Sequence, residues 1–180
     1  MGSLYLGRWR IDVEWSDGVP RLLPATVLAR VAAAALDAAG APGPASLGLV
    51  LSDDAELADL NVVHMGKTGP TDVLSFPLLP PAAYPPHAGL ALAAVAEADE
   101  EPFPLPPGLR QHLGDIVVSV ERAVAQAEAG RGGQTGDVRW DARDELRLLV
   151  THGVLHVCGW DHAEPAEEAA MRALERSLLG

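Results

Sequence analysis

The chain is predicted to fold as one α+β domain: a small mixed sheet of about four strands packed with about five helices. Three observations predict this. Segments with a two-residue or continuous apolar pattern interleave with longer segments of helical period, in the order β, α, β, α, β, β, α, α, α. At 180 residues with 48% hydrophobic side chains, the chain is long and apolar enough for one core. Strong punctuation, such as Asp17-Gly18, Pro24, Gly40, Pro77, Gly159 and Pro165, falls between these segments rather than within them.

Arg8 to Trp15 alternates, with Trp9, Ile11, Val13 and Trp15 on one face and Arg8, Arg10, Asp12 and Glu14 on the other, which describes a half-buried strand. Pro24 to Ala39 reads as a helix opened by proline and closed before Gly40. Leu47 to Leu51 is a strand, and Ser52 caps a short acidic helix from about Asp53 to Val63. Val73 to Phe76 is a short strand ended by Pro77. The stretch of about 78–110 is rich in Pro and Ala with a cluster of acids, and reads as an irregular insertion holding a helical turn or two near Leu90 to Ala98. Asp115 to Val118 is a strand, Ser119 opens a helix to about Ala129, and a Gly-rich loop runs from Gly130 to Trp140. A helix from about Asp141 to Cys158 has Asp141 at its N-cap and Asp144 and Glu145 in the first turn. The last helix runs from Pro165 to about Leu179.

The chemistry concentrates in His152-Gly153-Val154-Leu155-His156-Val157-Cys158-Gly159-Trp160-Asp161-His162, which holds three of the six histidines. His152 and His156, four apart, share one helical face with Cβ atoms about 5–6 Å apart, within reach of one metal ion. Gly159 offers a left-handed helix stop, Trp160 and Asp161 make a turn, and His162 can return as a third ligand. A single histidine would read as an ordinary helix residue; three at this spacing predict a metal site. Three protein nitrogens leave a tetrahedral zinc one open position, the arrangement of catalytic sites. Asp161 is a candidate to orient a histidine or to shuttle a proton, and equally a turn residue. Cys158 lies about 200° around the helix from His156 and reads as a small buried thiol rather than a ligand. Zinc proteases carry their general-base Glu directly after the first histidine; Gly153 stands there, which argues against peptide hydrolysis by that route.

Composition sets outer limits. A single cysteine excludes an intramolecular disulfide and suits a reducing compartment. No apolar run reaches the roughly 18 residues of a membrane span, and no signal-peptide pattern opens the chain, so a cytoplasmic location is expected. The net charge is −12, with Lys67 the single lysine, unlike the basic surface usual for nucleic-acid binders. Arg8, Arg10, Arg110, Arg122 and Lys67 are the candidate cations for a local basic patch.

These motifs resemble the bacterial YbeY family of endoribonucleases, whose signature H-G-x-L-H-x-x-G-(Y or W)-D-H matches here at every fixed position. Leu60-Asn61, Gly66 and Thr71-Asp72-Val73-Leu74-Ser75-Phe76-Pro77 resemble a second family block, and Leu113-Gly114-Asp115-Ile116-Val117-Val118-Ser119 with Gln126-Ala127 a third. The chain departs from the pattern in three places. Met65 stands where the family usually carries an arginine thought to handle phosphate, leaving Lys67 or a half-buried His64 at the helix end as substitutes. The Leu78 to His112 link and the Gly130 to Trp140 loop are both longer than usual.

The resemblance implies a zinc-dependent endoribonuclease for single-stranded RNA, with the metal site on a central helix and His152, His156 and His162 as the metal ligands. It implies a role in ribosomal RNA maturation, including the 16S rRNA 3′ end, and in ribosome quality control, with the small ribosomal subunit as partner and neither membrane nor DNA expected. Thr71-Asp72 and Asp115 read as structural, and the insertion as a surface segment without catalytic parts. Two other classes remain: a metal-dependent hydrolase of another substrate, and a non-enzymatic ribosome assembly factor with structural zinc.

Overall fold

The structure, a computed structural model, describes residues 2–69, 71–88, 105–130 and 141–180. Among them are five strands, β1 (Gly2–Leu6), β2 (Trp9–Trp15), β3 (Ala45–Ser52), β4 (Val73–Pro77) and β5 (Gln111–Ser119). The helices are α1 (Ala25–Ala38), α2 (Asp54–Met65), α3 (Val120–Glu128), α4 (Ala142–Val157) and α5 (Pro165–Leu179), with a 3-10 turn at Pro81–Ala83. The sheet order is β1-β2-β3-β5-β4, parallel from β2 through β3 to β5 and antiparallel at both edges.

The α+β reading holds, with β1 as an added edge strand. Gly2–Leu6 carries too little apolar alternation to announce itself, and pairing with β2 rather than burial makes it a strand. That pairing changes the outer face of β2. Asp12, expected in solvent, is 9% exposed, because Ser3 Oγ donates to its carboxylate at 2.5 Å and Arg10 grips it at 2.8 and 3.0 Å.

One face of the sheet buries the predicted stripe. Trp9, Ile11 and Val13 of β2, Leu47, Leu49 and Leu51 of β3, and Ile116 and Val118 of β5 pack under α1 and α4. A bulge in β5 opposite Ser46 and Gly48 inserts one residue, so Leu113 faces the same core as Ile116. Gly114 sits in that bulge at φ 148, and any side chain there would meet the Phe76 carbonyl at 2.3 Å. Among the described residues, the other face is covered only in part, by α2, whose Leu57 packs on Leu74 and Val117.

Caps largely follow the sequence. Asp141 and Asp144 form a capping box on α4, and Ser119 caps α3. At α2 the N-cap is Asp53 rather than Ser52, since the Asp53 carboxylate accepts from the Glu56 amide while Ser52 Oγ donates to the Glu56 side chain.

The reading of the insertion as a surface segment needs correction in its described part. Leu79, Ala83 and the buried Tyr84 pack on the main core, and Pro85 covers Gly40. The helical turn expected near Leu90 to Ala98 and most of the Gly-rich loop lie outside the described residues. Among the described residues, no helix is long and apolar enough to cross a membrane.

Candidate metal centre

α4 lies over β5 and the edge strand β4, because one of its faces can approach these strands closely. Gly153 makes this possible: a Cβ there would stand 2.9 Å from Val73 Cγ2 and 3.3 Å from Ile116 Cγ2. The glycine after the first histidine thus serves helix–sheet contact, and the position a protease would give to its glutamate is filled by β4 and β5. Ser75 Oγ of β4 donates to the Gly153 carbonyl at 3.0 Å and fixes this crossing. The flank of α4 next to Gly153, roughly 60–100° around the helix from it, carries His152 and His156 toward a cleft.

The helix ends where the sequence predicts. Gly159 takes φ 82, its amide donates to the His156 carbonyl at 3.1 Å, and the Trp160 amide donates to the Leu155 carbonyl at 3.0 Å. This pair of bonds is the Schellman motif, and it reverses the chain so that His162 returns over α4. The Trp160 ring is held in turn by His87, stacked on it at 3.9 Å with planes 7° apart. Part of the insertion therefore braces the turn that delivers the third histidine.

The three imidazoles converge. His152 and His156 face each other Nε2 to Nε2 at 3.0 Å, and one ligand atom from each of His152, His156 and His162 lies within 4.8 Å of the others. Zinc–nitrogen bonds of about 2.0–2.1 Å put tetrahedral nitrogens roughly 3.4 Å apart, inside the range these atoms span. The donor set therefore fits a metal ion. His156 is available as a neutral ligand: burial first, then the His152 and His162 imidazoles, push its pKa down to about 4.

Glu175 is the residue that sequence reasoning missed. Its carboxylate, 5% exposed on α5, lies 2.7 Å from His152 Nδ1, which directs the Nε2 lone pair toward the other two rings. Carboxylate–histidine–metal arrangements use this contact to set tautomer and ring orientation. The signal available in sequence was an acid on the inner face of the last helix, where Met171 and Glu175 are both buried. Asp161, considered for this duty, instead accepts from the His162 amide at 2.7 Å. It braces the turn and adds negative charge near His156. Cys158 is buried and free, its thiol pushed up to about 12 by burial.

A cleft of about 280 Å³ opens at the histidines, lined by Asp72, His152, His162, Glu168, Met171, Arg172 and Glu175. Asp72 is tied to Gln126 of α3 at 3.1 Å and to the Val73 amide at 3.0 Å, a structural turn that also forms cleft wall. Arg172, paired to Glu168 at 2.5 Å, is the cation among these lining residues and was not singled out in the sequence. The arginines that were are engaged elsewhere. Arg8 pairs with Asp37, Arg10 with Asp12, Arg122 with Asp54, and Arg110 donates to the Arg8 carbonyl. Met65, His64 and Lys67 are not among the described lining residues. His64 is exposed rather than half-buried, because α2 ends at the rim of the sheet and leaves the ring only an edge contact with Phe76 at 5.1 Å. Asp115 is mid-strand, its carboxylate filling the space above Gly48.

Fold and site together define a single-sheet α+β protein with a histidine triad, two on a helix and one on the turn after it, able to hold a metal ion. The family model described as Endoribonuclease YbeY matches residues 16–180. A Roseiflexus castenholzii protein named Endoribonuclease YbeY is 36% identical over 172 residues, 94% of this chain and 91% of that protein. One of the same name from Thermobifida fusca is 39% identical over 169 residues, with the same shares covered. A Thermotoga maritima protein solved in solution has the same fold, with a TM-score of 0.51 at 19% identity, covering 94% of this chain and 86% of that one. The chain belongs to the Endoribonuclease YbeY family.

Proposed function

We propose that the chain is an RNA-cleaving hydrolase: a metal-dependent endoribonuclease for single-stranded RNA that holds one zinc ion on His152, His156 and His162. The observation that carries this reading is the convergence of three imidazole nitrogens within 4.8 Å at the edge of an open cleft. A zinc ion bound by three nitrogens supplies a water acidic near pH 7 and a Lewis acid for a phosphoryl oxygen.

The chain's own residues set the rest. Glu175 orients His152, and Asp161 holds the His162 turn and serves as the candidate proton shuttle. Arg172 offers the guanidinium for a scissile or neighbouring phosphate, the role for which Met65 has no suitable group. With a net charge of −12, the protein is expected to bind naked RNA weakly. That suits a cytoplasmic enzyme whose substrate is presented by a partner. The proposed setting is ribosomal RNA maturation at the 16S rRNA 3′ end and ribosome quality control on the small ribosomal subunit.

The test is cleavage of an end-labelled single-stranded RNA by the zinc-loaded protein beside a folded His156→Ala variant. Cleavage by the first and not the second is expected. Stoichiometric zinc with no cleavage of naked RNA or RNA on the small subunit would overturn the enzyme reading in favour of an assembly factor with structural zinc.

A further inference from the structure

The segment 79–88 follows β4 and passes over the main core. Leu79 and Ala83 pack on that core, and Tyr84 is buried within it. The 3-10 turn at Pro81–Ala83 is closed by the Ala83 and Tyr84 amides, which donate to the Pro80 and Pro81 carbonyls. Pro85 and Pro86 come next, and proline fixes φ near −65°, so the path from Tyr84 to His87 has little freedom. Tyr84 in the core and Pro85 on Gly40 anchor this path, and together they deliver the His87 ring to the turn after α4.

There the ring lies flat on Trp160. Both His87 nitrogens are enclosed and meet no hydrogen-bond partner, and the same is true of Trp160 Nε1. Among the described residues, what His87 offers is therefore its aromatic face. Trp160 also packs on the main core, so its indole is enclosed by the core and by His87. His162 stands two residues further on. Among the described residues it has no backbone hydrogen bond to α4: its amide donates to the Asp161 carboxylate, a contact within the turn. The turn is pinned at Trp160 and again at Glu164, where the capping box of α5 begins.

We propose that His87 is a positioning residue for the metal centre: its ring clamps Trp160 and so holds His162 beside His152 and His156, a role that rests on the reading of the three histidines as a metal site. His87 is not among the residues lining the cleft, and it acts through Trp160. Without the clamp the turn also samples arrangements with His162 displaced, and an ion binds tightly only to the fraction with His162 in place. One aromatic stack shifts such an equilibrium by about two- to tenfold.

The test compares the full chain with folded His87→Ala and His87→Phe variants. Zinc affinity is read by competition with a chelator, and amide hydrogen exchange across 158–163 is read on the metal-free protein. His87→Ala is expected to weaken zinc affinity about two- to tenfold and to speed exchange at Asp161 and His162. His87→Asn, which keeps a polar side chain and removes the ring, is expected to do the same and replaces the alanine variant should that one not fold. His87→Phe keeps the face, removes the two unpartnered nitrogens, and is expected to match the parent in both readouts. Leu57→Ala lies in the small cluster on the other face of the sheet. It loosens the fold without touching the turn and is expected to leave zinc affinity unchanged. Unaltered affinity and exchange once the ring is removed would overturn the proposal. So would a phenylalanine variant as impaired as the alanine one, or an equal loss of affinity in Leu57→Ala. A parent chain that holds no zinc would overturn the metal reading itself, and the role of His87 with it.

Discussion

Two groups in this molecule each set a histidine beside a carboxylate, with opposite chemical results. In the first, His152 meets the Glu175 carboxylate through Nδ1 at 2.7 Å and keeps Nε2 directed at His156, 3.0 Å away. In the second, on the open face of the sheet, His112 Nδ1 meets Ser46 Oγ at 2.9 Å and Nε2 meets Asp115 Oδ1 at 3.2 Å. His112 therefore spends both ring nitrogens on neighbours, and the chain of contacts ends at a half-exposed carboxylate. His152 spends one, and the other points where two more imidazoles point. A serine, a histidine and an aspartate in a row make a satisfied surface network; three histidines whose lone pairs converge make a site. What distinguishes them is the number of ring nitrogens left without a protein partner and whether those nitrogens share a target.

The largest expected effect separates the clusters outright. His156→Ala should lose stoichiometric zinc binding, read by metal analysis after gel filtration, while His112→Ala keeps it. Loss of metal in His112→Ala with the fold intact would break the comparison. Glu175→Gln comes next: it removes the carboxylate that sets the His152 tautomer and should lower zinc affinity roughly 10–100-fold, measured by competition with a chelator. An unchanged affinity would mean that the Glu175 contact is packing alone.

The glycines beneath the two clusters sharpen the contrast. Gly153→Ala pushes a methyl group to 2.9 Å from Val73 Cγ2 in a packed helix–sheet contact. It should destabilise by about 1–3 kcal/mol in denaturant melts. Gly48→Ala would meet the Asp115 carboxylate, which can swing into solvent at the cost of its contact with His112. Its expected cost is smaller, about 1 kcal/mol, one hydrogen bond's net worth.

The histidines also give a pH signature to the metal-free protein. The His156 pKa in the fold is about 4, below its ordinary value of 6.5. Between these values the unfolded chain takes up a proton that the native chain refuses, so stability is full above pH 6.5 and falls as pH drops toward 4. His156→Ala should flatten the slope of urea-melt stability against pH in that window. An unaltered slope would place its cause in other groups.

Much of the site was legible because it is local. His152 and His156 share a helical face by the four-residue spacing, and Gly159 ends the helix by its tolerance of positive φ; neither needs a tertiary partner. Most helices were legible for the same reason, from caps such as Asp141 and Ser119 and from apolar period. What was missed comes from other parts of the chain. Glu175 lies 23 residues beyond His152 in sequence and reaches it only because α5 packs back on α4. Strand β1 exists through its register with β2, and Asp12 is buried only because Ser3 and Arg10 enclose it. His87 belongs to a segment whose composition reads as irregular, yet its ring lies on Trp160.

The sequence by itself determined the α+β class, the family, the helix that carries two histidines and the turn that returns the third. These follow from periodicity, capping and short-range geometry, which act over a few residues. Tertiary structure alone decided that Glu175 faces His152, that Arg172 lines the cleft and that Gly153 faces the sheet. Each of these depends on the angle and depth at which helices meet the sheet or one another. Side-chain packing summed over the whole core sets that angle and depth.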